Sequence, residues 1–381
     1  MIVPIDYETL RVIWWMILGV LLCGFAIMDG FDLGVAMLLP FVGKTDTDRR
    51  VILNTIGPVW EGNQVWFILG GGAIFAAWPF VYAVAFSGFY VAMFLILWGL
   101  ILRPVGFKFR SKLSLPAWRQ VWDTCLCISG TVPSLIFGVA VGNVMQGVPF
   151  FLDENLRCFY TGSFFDLLGA FPLLCGILSV TMFLQHGALY LSIKTEPEMG
   201  NRALSILPLT TLIWLICFSI GGLYAAGQLQ GFTLLPGYHV DGASNPLSKE
   251  ALILTGAWIN NYFTYPFLWL VPFSCYVTVI SAWYLASLRY LKSAFVLNGL
   301  AIATVIITVG ISMFPFILPS SIHTSSSLTV WDASSSQLTL FIMLLAVIVF
   351  LPIILLYTRW VYKVLAGPVT AESIDKDMNS Y

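Results

Sequence analysis

Charge is scarce in this sequence. Lys, Arg, Asp and Glu make up 10% of its 381 residues, against about a quarter in a soluble domain. Apolar residues make up 59%, and the mean hydropathy is +0.89. That balance excludes a water-soluble globule. A net charge of −1 leaves no electrostatic footprint for nucleic acid. Histidine is scarcer still: His186 lies in an apolar run, and His239 and His323 lie outside such runs. A metal centre needs several well-placed ligands, so one histidine in a span cannot build one. The seven cysteines are odd in number and mostly sit in apolar runs, which excludes a disulfide framework. Cys125 and Cys127 have the wrong spacing for a zinc knuckle and read as packing. No internal repeat is evident. A cleavable leader with a short apolar core is also lacking. Asp6 and Glu8 precede the first apolar run, which reads as a span that stays.

What the sequence has is long apolar runs. Nine are long enough to cross a bilayer, at roughly 11–40, 51–78, 80–103, 119–147, 161–193, 203–228, 258–288, 293–318 and 337–363. The second and third meet at Trp78-Pro79, read as a tight hairpin. With the N-terminus outside, fifteen of the 18 Lys and Arg fall in inward-facing segments. Only Arg11, Arg157 and Lys249 fall outside. This asymmetry is the positive-inside pattern. The expectation is therefore an all-α membrane protein of nine spans, with the N-terminus outside and a cytoplasmic C-terminus. Residues 1–366 form one integral membrane domain, and 367–381 a polar cytoplasmic tail. Outer loops at about 148–160, 229–257 and 319–336 are too short to be domains, and the last, with Pro319-Ser-Ser-Ile-His and Ser325-Ser-Ser, reads as a polar cap.

Two acidic clusters interrupt the apolar runs. Met28-Asp-Gly-Phe-Asp-Leu-Gly lies in the first, and Pro58-Val-Trp-Glu-Gly-Asn-Gln-Val-Trp in the second. A carboxylate at the bilayer centre costs about 2.5–3.5 kcal/mol or more. Such groups persist when they pair, face water, or move protons or ions. Asp29 and Asp32, spaced i, i+3, share one helix face. Asp32 falls about 16 Å from the inner end of its helix. Gly30 and Gly34 permit close helix contact, and Arg103 is the available counter-charge. Glu61 falls ten residues into the second span, about 15 Å along it. Asn54, Asn63 and Gln64 supply polar neighbours, and Gly57-Pro58 can break the helix just before. A carboxylate with amide neighbours suits a proton relay; a helix–helix hydrogen bond is the plainer reading. Gly70-Gly-Gly in the second span lacks a phosphate-loop lysine and reads as close packing. Asp123 and Asp166, near helix ends, read as caps or pair partners.

These motifs resemble subunit II of the cytochrome bd-type quinol oxidases, the bacterial terminal oxidases. The resemblance runs from Leu10-Arg-Val-Ile-Trp-Trp and Asp29-Gly-Phe-Asp-Leu-Gly through Trp60-Glu-Gly-Asn-Gln-Val-Trp, Ala76-Ala-Trp-Pro and Arg103-Pro-Val-Gly-Phe. It continues with Gln146-Gly-Val-Pro-Phe, Ser244-Asn-Pro-Leu, Gly310-Ile-Ser-Met-Phe-Pro-Phe and Trp331-Asp-Ala-Ser-Ser-Ser-Gln. It implies a pseudosymmetric heterodimer in the bacterial inner membrane, each subunit two four-helix bundles plus one peripheral helix. It implies that the partner, subunit I, holds two b-type haems and one d-type haem. That subunit oxidises quinol on the outer side, and the complex reduces oxygen to water with cytoplasmic protons, without pumping. No catalytic residue and no metal ligand is then expected in this chain. Glu61, Asp29, Asp32 and Arg103 match the family's proton-pathway acids and arginine, with Glu where some members have Asp. Trp60 and Trp66 flank Glu61 as packing, as subunit contacts, or as neighbours of a quinone ring or haem edge. The resemblance also leaves room for a structural quinone, for a small single-helix accessory subunit, and for membrane lipid as a further contact.

Two other classes fit the bare residues. Nine spans with intramembrane acids suit a proton-coupled transporter, although the missing repeat weighs against it. A purely structural scaffold subunit would use Glu61 for packing alone.

Overall fold

The computed structural model describes residues 3–376. Its first half comprises α1 (Tyr7–Val42), α2 (Asp46–Ile56), α3 (Trp60–Ala77), α4 (Pro79–Gly88), α5 (Tyr90–Phe109) and α6 (Pro116–Gln146), followed by the hairpin β1 (Phe150–Leu152) and β2 (Cys158–Tyr160). The second half runs through α7 (Ala170–Lys194), α8 (Pro197–Leu204), α9 (Leu207–Gly227), the hairpin β3 (Gln230–Leu234) and β4 (Ala251–Thr255), α10 (Asn260–Thr264), α11 (Leu270–Ser287) and α12 (Leu291–Met313). It ends with β5 (Phe316–Leu318), β6 (Leu328–Thr329), α13 (Gln337–Val364) and α14 (Ala371–Lys376). Among the described residues, eight helices are long and apolar enough to cross a membrane, and the bent pair α3/α4 makes a ninth if it is counted as one span. The expected nine is the upper of these two counts.

The interior is organised by α1. It is 36 residues long, about 54 Å at the α-helical rise, and packs against α3, α6, α7 and α12. Its start is capped by Asp6, whose carboxylate accepts from the Thr9 amide at 2.7 Å. Small residues allow its closest crossing. A Cβ on Gly34 would lie 2.0 Å from the Phe183 carbonyl oxygen, and one on Gly187 would lie 2.5 Å from the Gly34 carbonyl carbon. Water cannot drive helix association inside a bilayer, so contact at backbone distance supplies the dispersion attraction instead. The Gly70-Gly-Gly run departs from expectation. Gly70 is buried, and a Cβ on it would lie 3.9 Å from Leu22, an ordinary contact; a Cβ on Gly71 or Gly72 would meet nothing of this chain within 4 Å. None of the three is a point of backbone-close packing within the chain.

The second and third spans also differ from the sequence reading. A single helix over 51–78 does not form. The chain breaks at Gly57-Pro58-Val59, because Pro58 has no amide hydrogen to continue the ladder. The polar helix α2 lies before the break and the apolar α3 after it. Trp78-Pro79 is not a hairpin between two spans either. The axes of α3 and α4 bend by 119° there, and α4 packs against β2 and β5. A second break at Phe89 then starts α5. The return span is therefore 90–109 rather than 80–103.

The two ends of the bundle are built differently. One end is ionic. Asp123 is buried between Arg49 at 2.7 Å and Arg110 at 2.5 Å. Asp46 bridges Arg110 and Arg119, and Asp48 meets Arg202 at 2.7 Å. These pairs tie α2 to the α5–α6 turn and to α8. The Lys194 ammonium donates to the carbonyls of Leu365 and Gly367. Of the tail expected at 367–381, residues 371–376 form α14, whose Ile374 is buried beside α2; residues 377–381 lie outside the described residues.

The opposite end is a cap of hairpins. The Arg11 guanidinium is buried. It donates to Ser334 Oγ at 2.8 Å, Ser244 Oγ at 3.0 Å, and the carbonyls of Val240 and Gly242. Lys249 meets Asp332 at 2.9 Å and also donates to the Pro246 carbonyl at 2.7 Å. Asp332 accepts in turn from the Thr329 amide and hydroxyl. Asp166 accepts from the Ser163 amide and hydroxyl, so it closes a turn, as a cap reading requires. Burial pushes the Lys249 ammonium below the ordinary lysine range despite the nearby carboxylate.

Two outcomes follow from these contacts. Gly34→Ala or Gly187→Ala should cost about 1–3 kcal/mol by overpacking, read as a lowered thermal midpoint in detergent. Gly222→Ala, with nothing within 4 Å, serves as the control and should change little. In the cap, Lys249→Met strands a buried carboxylate and should cost about 3–5 kcal/mol. The double variant Lys249→Met with Asp332→Leu should recover most of that loss in the same melting experiment.

Candidate functional site

The intramembrane acids gather where α1, α3, α5 and α13 meet. In the sequence Asp32 sits 31 residues from its partner and Asp29 sits 74 from its own; in the fold they form one buried cluster. Arg103 Nη1 donates to Asp29 Oδ1 at 2.6 Å, and both side chains are fully buried. Asn63 Nδ2 donates to Asp32 Oδ2 at 2.7 Å. The Asn63 carbonyl oxygen accepts from the Tyr362 hydroxyl at 2.8 Å. The Arg103 guanidinium carbon lies 6.0 Å from the Trp60 ring centroid, a cation–π distance. Asp32 precedes the last residue of α1 by ten positions, about 15 Å, so the cluster lies in the half of the bundle nearer the ionic end.

Several buried polar atoms of the cluster have no hydrogen-bond partner among the described residues: Asp29 Oδ2, Asp32 Oδ1, Arg103 Nε and Nη2, and Trp60 Nε1. Ordinary cores satisfy more than nine in ten such groups. Their concentration here marks the cluster as a polar site rather than a finished structural pair.

Glu61 stands apart. It lies in the first turn of α3, just past the 57–59 break, and is exposed on the chain's surface. It is not ten residues into a span, because α2 is not part of that span. Asn63, two positions on, points about 200° away around the helix and turns inward. The amides expected beside Glu61 are therefore divided. Asn63 serves Asp32, while Asn54 donates to the Arg50 carbonyl within α2.

Both tryptophans pack inside the chain. Trp60 stacks on Phe107 with centroids 5.5 Å apart, and the ring of Trp66 covers Gly24, where a Cβ would lie 2.4 Å from it. Each is 6% exposed within this chain.

A second polar network lies deeper in the α7, α9 and α12 region. Asn298 accepts from Gln185 Nε2 at 2.9 Å, so its own Nδ2 donates to His186 Nδ1 at 3.2 Å. That leaves the His186 Nε2–H to donate to the Ile27 carbonyl at 3.1 Å. Gln185 Oε1 accepts from Thr210 and Thr211. Both ring nitrogens of His186 are thus engaged, and its ring stacks on Phe295 at 4.3 Å. No group of three or more His, Cys, Asp or Glu able to hold a metal ion occurs among the described residues.

Sequence reasoning missed Tyr362 and Tyr190. Tyr362 lies among Tyr357, Arg359, Trp360 and Lys363 and carries the signal of an interfacial belt. Tyr190 donates to the Thr55 carbonyl at 2.9 Å and stacks on Phe31 between the two acids, at 4.1 Å. Neither role has a local sequence signature.

Comparison with known proteins meets this arrangement along the whole chain. Residues 10–365 match the family described as cytochrome bd terminal oxidase subunit II. The chain is 48% identical over 376 residues to the cytochrome bd-I ubiquinol oxidase subunit 2 of Escherichia coli K12, covering 99% of each. It is 46% identical over 376 residues to a probable cytochrome oxidase subunit 2 of Haemophilus influenzae, again covering 99% of each. Among solved structures, the bd oxidase from Geobacillus thermodenitrificans matches with a TM-score of 0.70 over 94% of this chain and 98% of that one. At 17% identity that likeness speaks to the fold alone. Family, relatives and fold converge: the chain belongs to the cytochrome bd terminal oxidase subunit II family.

Proposed function

We propose that this chain is the haem-free second subunit of a cytochrome bd-type quinol oxidase, and that it carries part of a proton route toward the haems of subunit I. The observation that carries this reading is the grouping of acids around the α1–α3 contact. Asp29 and Asp32 are buried in the bundle, while Glu61 opens α3 on the outward surface. Glu61 is then the group that exchanges protons at the subunit boundary. Arg103 holds Asp29, and the polar atoms left without protein partners suit ordered water, which typically makes about three hydrogen bonds in such a site.

The outward face of α3 supports a partner helix there. A Cβ on Gly62 or Gly72 would meet nothing of this chain within 4 Å, and small residues admit a close second backbone. Beside it, α13 is the least buried span. On this reading α1, α3, α5 and α6 form one four-helix bundle, α7, α9, α11 and α12 the second, and α13 is the peripheral helix. The ionic end, which holds Arg49, Arg110, Arg119 and Arg202, faces the cytoplasm. The engagement of both His186 nitrogens supports haem ligation residing in subunit I. A stand-alone transporter has less to recommend it once the family is known.

The direct test is quinol-driven oxygen consumption by the complex with Glu61→Gln, alongside haem absorbance spectra. With normal spectra, turnover should fall on the order of a hundredfold, the lower end of what a positioned proton carrier supplies. Unchanged turnover would leave Glu61 a scaffold residue. Separately, Arg103→Leu leaves Asp29 charged and alone in the core. That should cost the complex about 3–5 kcal/mol, seen as an earlier loss of haem absorbance on heating. Adding Asp29→Leu should restore part of it.

A further inference from the structure

We infer that Tyr362 and Asn63 are positioning residues for Asp32: the last span of this subunit sets the orientation of the carboxylate on the proposed proton route. The inference rests on the reading that Asp32 belongs to that route.

The geometry is a directional chain of two hydrogen bonds. The Tyr362 hydroxyl donates to Asn63 Oδ1 at 2.8 Å, and Asn63 Nδ2 donates to Asp32 Oδ2 at 2.7 Å. A side-chain amide can turn over and exchange its oxygen and nitrogen. Here the two neighbours decide which way it faces. A carboxylate accepts, so it selects the NH2. With the NH2 committed to Asp32, the carbonyl oxygen faces Tyr362, whose hydroxyl, able to donate or accept, donates to it. Turned over, the amide would set oxygen against oxygen at Asp32 and lose that bond. Tyr362 therefore holds the amide from its other side, and the held amide fixes one oxygen of Asp32. The other oxygen, Oδ1, has no hydrogen-bond partner among the described residues and is the one left to exchange a proton.

The three residues come from three helices. Asp32 is on α1, Asn63 on α3 and Tyr362 on α13. Asn63 and Asp32 are buried, and Tyr362 is half-buried. Asn63 cannot pass a proton itself without an unfavourable imidic acid form, so its part is orientation rather than relay. Placement of this kind matters because a proton donor works only within hydrogen-bond reach of its acceptor.

The test uses the whole oxidase complex with Asn63→Leu, Tyr362→Phe and Asp32→Asn. Turnover at saturating quinol, the KM for quinol, the haem spectra and the infrared carboxyl bands are measured for each. Asp32→Asn assigns the Asp32 band by its loss. Asn63→Leu should lower kcat about tenfold, the scale of one hydrogen bond to a charged group. Tyr362→Phe should lower it less. In both, the Asp32 band should move while the KM and the spectra stay as in the parent. Normal turnover with an unmoved band in both variants would overturn the inference. So would a fall in turnover with the Asp32 band in place, or a moved band with full turnover. Should Asn63→Leu fail to assemble, Tyr362→Phe, which removes one oxygen and keeps the ring, decides by the same band and rate. Full activity in Asp32→Asn would instead remove Asp32 from the route, and the positioning of a carboxylate there would lose its role in turnover.

Discussion

A guanidinium and a carboxylate held 2.6 Å apart, with both side chains 1% exposed, are the constraint around which this subunit is built. Neither charge could be carried into the bundle alone. Their attraction offsets desolvation only with close geometry and further polar contacts. Arg103 comes from α5 and Asp29 from α1, so the pair fixes the register of one helix against the other. Asp32, one turn further on, then faces α3 and takes its hydrogen bond from Asn63. Trp60 and Phe107 close the cluster as a stacked pair at 5.5 Å. Once the ion pair is set, the neighbouring helices have little freedom to rotate.

The ionic end complements this. α2 is too polar and too short to span, yet it connects α1 to α3. Its carboxylates engage Arg110, Arg119 and Arg202, and its apolar residues Val51, Ile52 and Ile56 are buried. Isolated surface pairs contribute little, but a network anchored on a buried Asp123 holds its members in fixed geometry. The position at which α3 starts, and with it the position of Glu61, is set by this anchoring. The acid stands at the helix start because α2 is held back against the bundle, not because the sequence is apolar there.

The span count, the acid pair with Arg103, and the weakness at Gly57-Pro58 were legible in the sequence, because each leaves a local mark: apolar length, i, i+3 spacing, or a missing amide hydrogen. The break at Phe89 leaves none. It depends on Gly88 backing onto the Tyr160 ring, where a Cβ would lie 2.8 Å away, and that contact spans more than seventy residues. Glu61 was misplaced in depth for a related reason. Periodicity joined α2 to α3 across the short break at Gly57-Pro58-Val59, and long-range ion pairs then hold the polar α2 at the ionic end. Tyr362 was hidden by its company of aromatic and basic neighbours, and only the packing of α13 turns its hydroxyl inward. Residues that act through local geometry could be read; those that act through closure of the chain on itself could not.

The cap of hairpins has a consequence for how the chain is made. Arg11, near the start, donates hydrogen bonds to Val240, Gly242 and Ser244 and to Ser334. Tyr7 is likewise bonded to the Ser335 carbonyl at 2.5 Å. While the first eight spans are being inserted, the Ser334 and Ser335 contacts to the first helix do not yet exist. They form when the segment before α13 emerges, and the same helix later delivers Tyr362 to Asn63. The segment around α13 thus completes both the hairpin cap and the buried polar cluster, and a chain stalled before residue 334 displays an incompletely bonded arginine at its hairpin-capped end, a chemical mark by which unfinished copies differ from finished ones.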